Sequence, residues 1–140
     1  MPSELSIHDN RILAHTVDCN ARIIVLHTIC IDYEPNVYTD VIFSDVAAYH
    51  FEGDNLNTVL FDIQEITPNK IYATYKSVFE RSKDYDWPRH YNNESELLQA
   101  FQQKNLRGFL ITPSMGLGGF VISQKMKIVP ALPLQCKQGI

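Results

Sequence analysis

The stretch SIHDNRILAHTVDCNARIIVLHTIC gathers His8, His15 and His27 with Asp9, Asp18, Cys19 and Cys30. These are the residue types that hold zinc or move protons, so their spacing decides whether they can act together. In a β-hairpin turning at Asp18–Ala21, facing residues share a side of the sheet. His15 then faces Ile24 and His27 faces Ile12, on opposite faces. A three-residue turn would bring both histidines to one side, but Cys19 stays at the turn and Cys30 lies far along the second strand. Zinc ligands must converge to about 2.3 Å from the metal. No metal or cofactor is therefore predicted, and His15 and His27 read as ordinary sheet residues.

A second constellation passes the same test. If Ser44–Val46 turns the chain between VYTDVIF and AAYHF, then Phe43, Val41 and Thr39 pair inward with Ala47, Tyr49 and Phe51. Asp40 then lies opposite His50 on the outer face. With Val59, Phe61 and Ile63 inward in the next strand, Asp62 joins the same polar face. A carboxylate beside an imidazole orients it and raises its pKa, which suits general-base chemistry. The same three residues equally describe a solvent-facing cross-strand ion pair worth about 0.2–1 kcal/mol. No motif ties a serine or cysteine nucleophile to them.

The glycines of MGLGGF, Gly116, Gly118 and Gly119, suggest a phosphate loop. Such a loop must feed a helix N-terminus, and FVISQKMKIV has the alternation of a strand, so a hairpin turn is expected. The segment KDYDWPRHYNN collects Tyr85, Trp87, Arg89, His90 and Tyr91 between two helical runs. Tyr, Trp and Arg dominate binding hot spots, because each offers large area and a polar handle. These five residues are the candidate contact loop. The competing reading folds Trp87 inward to cap the core, with Pro88 stiffening the turn.

The elements that must position these groups are short. RILAHTV, RIIVLHTICI, VYTDVIF, AAYHF and TVLFDIQEI are β-branched and aromatic runs separated by turn residues, and read as a meander of antiparallel strands. The period then lengthens. Thr67 is a plausible N-cap with Pro68 at the first helical position, and Ile71, Tyr72, Tyr75, Val78 and Phe79 form one apolar stripe. A second, shorter helix begins at Asn93, with Glu96 at capping-box spacing and Leu97, Leu98 and Phe101 as its stripe. GFLIT and GFVISQKMKIV close the domain, and residues 130–140 read as a loose tail. Strands and helices fall in separate blocks, β5-α-α-β2. That order predicts an α+β fold in which a mostly antiparallel sheet of about seven strands packs on two helices.

A chain of 140 residues with 45% hydrophobic content is the size of one domain with a single core. No basic segment leads into an apolar run near the N-terminus, and no stretch has the length of a membrane span. Cys19, Cys30 and Cys136 form neither an even set nor a CxxC pair, which fits reduced thiols in a cytoplasm. Charge is unevenly spread. From Ile23 to Asn69 there are eight acidic residues and no Lys or Arg, whereas from Lys70 onward ten basic residues accompany five acidic ones. The acidic half repels phosphate and excludes a nucleic-acid surface there. It would steer a basic protein partner, unless the basic helices pack beside it and neutralise it. An exposed edge at the first or last strand leaves a homodimer open.

IHDNRILAHTVD, YHFEGDNLNTVLFDIQEI and MGLGGFVI together resemble small uncharacterised bacterial proteins that carry an early HDA or HDN motif before an antiparallel sheet. Some of these are grouped with the immunity proteins of polymorphic toxin systems. The resemblance covers roughly the first half of the chain and the glycine-rich turn. It implies a cytoplasmic, non-enzymatic protein that binds and blocks a toxin, and no catalytic residue. His8 and Asp9 match the motif and are expected to tie the N-terminal segment to the sheet. The expectation is thus a non-catalytic binding protein. The alternative is a small hydrolase or lyase using His50 with Asp40 or Asp62.

Overall fold

A computed structural model describes residues 6–133; Cys136 and most of the expected C-terminal tail lie outside them. Six antiparallel strands close into a barrel in the order β1-β2-β3-β6-β5-β4. They are β1 (Arg11–Asp18), β2 (Ile23–Cys30), β3 (Val37–Glu52), β4 (Val59–Ile66), β5 (Arg107–Met115) and β6 (Gly118–Pro130). The α+β class and antiparallel sheet are as expected, with six strands in place of about seven.

The missing strand is a missing turn. VYTDVIF and AAYHF run on as the 16-residue β3, and Ser44–Val46 does not reverse the chain. Asp45 takes a left-handed φ of 54°, a conformation that Asp tolerates in turns and bulges alike. The pairing with β6 shifts register between Val46 and Ala48. A bulge thus absorbs the residues that looked like a turn, and β3 is held by β2 over its first half and by β6 along most of its length.

The first hairpin is wider than expected. Asp18 faces Ile23 and His15 faces Leu26, because the Asp18 carboxylate accepts from Asn20 and Ala21 backbone N–H groups and Arg22 adopts φ 60°. The shift is even, so His15 and His27 still point to opposite faces.

Between β4 and β5 the chain forms α1 (Pro68–Thr74), α2 (Lys76–Ser82), a 3-10 turn (Lys83–Tyr85) and α3 (Glu94–Gln103). The expected single first helix is broken at Tyr75, while both expected caps are present. Thr67 accepts from Lys70 N–H and Asn93 from Glu96 N–H. No helix among the described residues is long and apolar enough to cross a membrane.

Two cores result. Inside the barrel, Leu26, Val41, Phe43, Leu60, Phe109 and Val121 pack together, with Phe43 and Phe109 edge to face at 5.6 Å. Outside it, Ala48, Phe120 and Ile122 of the sheet meet Ile71, Phe79, Leu97 and Phe101 of the helices. Phe79 stacks on Phe120 at 5.6 Å. Phe120, Val121 and Ile122 are all fully buried, because β6 lies between the two cores.

Candidate functional site

The polar cluster of Asp40, His50 and Asp62 does not form. Asp40 faces His27 across β2–β3, whereas His50 lies ten residues further along the same strand and faces Phe120. Asp62 sits in β4, with β5 and β6 between it and β3. The meander breaks after β3, so the strand after it in sequence is not its neighbour. His50 is half-buried on the helix-facing side, near Tyr75 and Phe120, and its Nε2 lies 3.4 Å from Glu52. Asp62 accepts from the Ile63 N–H at 2.9 Å.

Asp40 finds a different histidine. Its carboxylate lies 3.0 Å from His27 Nδ1, and His27 Nε2 is 3.2 Å from the Thr16 hydroxyl. Hydroxyl, imidazole and carboxylate stand in the order of a nucleophile, its base and the group that orients the base. All three project from the outer wall, Thr16 is exposed, and neither recess described below includes any of them. Acyl transfer needs an enclosing pocket and oxyanion donors. On an open wall, the relay braces β1, β2 and β3. His27 stands out in the sequence, but its pairing with Asp40 and Thr16 emerges only once the register is known.

The loop after α2 divides its five candidate residues. Tyr91 is buried, and its hydroxyl donates to Phe79 O at 3.4 Å. Burial pushes the Tyr91 phenol up, as it does those of Tyr72 and Tyr75. Trp87 is half-buried, 5.3 Å from Phe79 and 6.4 Å from Phe120, so it extends the outer core. Tyr85, 85% exposed, and Arg89 and His90 remain outside. His90 Nδ1 lies 3.1 Å from Asp86. Trp87 and Pro88 also wall a recess of about 150 Å³ against Arg22, Ile24, Ala47 and Ala48. Its lining carries one basic residue, Arg22, and one acidic residue, Asp18, and is otherwise mostly apolar.

A second recess, of about 210 Å³, lies between the segment Ser6–Asn10 and the β2–β3 connection, with Asp9, Asn10, Cys30, Asp32 and Tyr33 among its lining. The early HDN motif is anchored here. His8 Nδ1 lies 2.6 Å from Phe61 O and its Nε2 3.3 Å from the Asp9 carboxylate. Asp9 N–H donates to Leu60 O, and Asn10 O accepts from Leu60 N–H. The motif thus ties the N-terminal segment to β4.

Few of the eight acidic residues of 23–69 form a direct ion pair, although Asp45 borders a recess together with Arg22, Arg89 and Lys104. Glu65 forms a two-pronged pair with Arg107, one prong at 3.0 Å, and that hydrogen bond lowers the Glu65 pKa. Asp40, Glu52 and Asp54 have histidine neighbours. Among the described residues, Glu65 alone of the eight has a Lys or Arg partner.

Cys19 is exposed at the hairpin turn and Cys30 ends β2; both are free thiols. Among the described residues, no three His, Cys, Asp or Glu side chains converge as metal ligands would. Comparison with known proteins finds no matching family model, no matching curated protein and no matching solved structure.

Proposed function

We propose that the protein is a non-catalytic binding protein of the immunity type, which holds and blocks a basic protein partner. The observation that carries this is the scarcity of direct cationic partners for the acids of the barrel. Seven acids between Asp32 and Asp62 form no direct ion pair with a Lys or Arg among the described residues, although Asp45 borders a recess together with Arg22, Arg89 and Lys104. Unpaired surface carboxylates of one sign attract and orient a partner of the other. Around the β2–β3 connection, Asp32 and Glu34 are accompanied by exposed Ile31 and Tyr33. Apolar area beside complementary charge is what a docking surface requires.

The test is capture with the tagged full chain in its native cell. One basic protein is expected in fixed stoichiometry, released by about 0.5 M salt. Expressed alone it should arrest growth, and co-expression of this chain should restore it. Recovery of no protein partner, together with turnover of a substrate that is lost in His50→Ala, would overturn the proposal in favour of a small hydrolase or lyase.

A further inference from the structure

The geometry points to a small-molecule site beside the β1–β2 turn, where two adjoining recesses receive a phosphate monoester carried on a single aromatic ring. The inference goes beyond the proposed function and does not depend on its partner.

One recess is basic. It holds about 460 Å³ and is lined by Arg22 of the β1–β2 turn, Arg89 of the loop before α3 and Lys104 at the end of α3, with Asp45 as the one acid. Three cations thus reach one hollow from three separate parts of the chain. Among the described residues, Lys and Arg form ion pairs only at Lys76–Glu80 and Arg107–Glu65, so none of the three is spent on an acid. Arg89 uses its Nε on His90 O at 3.4 Å, which leaves its terminal nitrogens. The Lys104 carbonyl, which would repel an anion, accepts from Gln124 Nε2 at 3.0 Å. A cleft lined mainly by one sign of charge focuses its field and concentrates the opposite ion. Three cations against one carboxylate leave two positive charges in the lining, which a dianion matches.

The other recess, walled by Trp87 and Pro88, carries a different kind of signal. It shares Arg22, Val46, Ala47 and Pro88 with the basic one, so the two are contiguous. Buried Ile24 and Ala48, half-buried Trp87 and exposed Tyr49 complete an apolar and aromatic lining. Asp18, its one acid, already accepts from the Asn20 and Ala21 N–H groups. Its volume of about 150 Å³ is the size at which an apolar cavity takes up one benzene ring. Ring and anion are therefore held side by side. A phosphate monoester carries a charge of about −1.5 to −2 at neutral pH and accepts two-pronged hydrogen bonds from guanidinium groups. A carboxylate would leave one of the two positive charges unmatched. The basic recess also falls within the roughly 300–1,000 Å³ of small-molecule sites, which favours a free metabolite over a peptide chain.

The probe is phenyl phosphate, titrated into the isotopically labelled full chain at constant ionic strength and followed by NMR. Trp87 is the only tryptophan, so its indole N–H gives one unambiguous signal. Saturable shifts are expected there and at the Arg22, Ala47 and Lys104 backbone amides, with affinity in the millimolar range or tighter. Inorganic phosphate, which lacks the ring, and phenol, which lacks the charge, should each bind at least about tenfold more weakly. Arg89→Gln combined with Lys104→Gln, both at exposed positions, should weaken phenyl phosphate about tenfold or more. Asp45→Asn removes the one acid of the basic recess and keeps a residue that tolerates the left-handed φ of 54°, so it should tighten binding about threefold. Absence of saturable shifts, equal binding of phenol, or an affinity that ignores the paired substitution would overturn the site. Equal binding of inorganic phosphate would overturn the role of the aromatic recess. Tighter binding of a phosphotyrosine peptide than of phenyl phosphate would overturn the assignment to a free small molecule.

Discussion

Trp87 packs its indole on Phe79 at the edge of the outer core, so its truncation removes aromatic area that no neighbour can replace. Trp87→Ala is expected to cost about 3 kcal/mol of folding stability, the lower end for large aromatic truncations because the ring is only half-buried. Urea denaturation of the isolated variant checks this; an unchanged midpoint would return Trp87 to the list of contact residues. The sequence sets Tyr85, Trp87, Arg89, His90 and Tyr91 between two helical runs; in the structure Tyr85 closes the 3-10 turn and the other four lie between it and α3. Which of them faces inward depends on Phe79 and Phe120, which come from different parts of the chain. Asn10 shows the same limit more sharply. Its type and position carry no signal of a buried, unsatisfied acceptor, which arises only when Ser6 and Thr28 are folded around it.

The elements themselves were largely legible, because period and capping are local. Thr67, Pro68 and Asn93 mark the helix starts as they do in the structure, and β1, β2 and β4 fall where β-branched runs stand. The error at β3 came from Ser44 and Asp45, residue types that suit a turn and a bulge equally. Only pairing with β6 distinguishes the two, and β6 lies more than sixty residues away along the chain. The glycine-rich turn has a related role. Gly119 has φ 135°, and a Cβ there would lie 1.9 Å from His50 O. The glycine lets β6 approach β3, and it opens a strand where a phosphate loop would open a helix. Gly119→Ala should therefore cost at least about 2 kcal/mol through backbone strain and displacement of the β3–β6 pairing. Amide exchange would show it as lost protection across both strands. Intact protection would mean that the close approach is not needed for this pairing.

For the whole molecule, strand order could not be read from the sequence. A meander was the simplest arrangement, and it placed Asp40, His50 and Asp62 on one face. The barrel instead inserts β6 and β5 between β3 and β4 and disperses them. Closure also bears on assembly. β6 has neighbours on both sides, while β1 meets β4 at Arg11, leaving Leu13–Asp18 paired on one side only. The charge division of the sequence is interleaved by the barrel, which sets Lys125 and Lys127 of β6 opposite β3 and Arg107 of β5 on Glu65 of β4, yet among the described residues Glu65 alone of the eight acids forms a direct ion pair with Lys or Arg. The field of the other acids acts on encounter more than on residence. The most direct measurement is the association rate of the captured partner with this protein as a function of ionic strength. Between about 20 mM and 500 mM salt the rate constant is expected to fall at least about tenfold, with dissociation changing far less. Asp32→Asn combined with Glu34→Gln should lower the rate at low salt. An association rate indifferent to salt and to both substitutions would contradict electrostatic recruitment by the acidic half of the barrel.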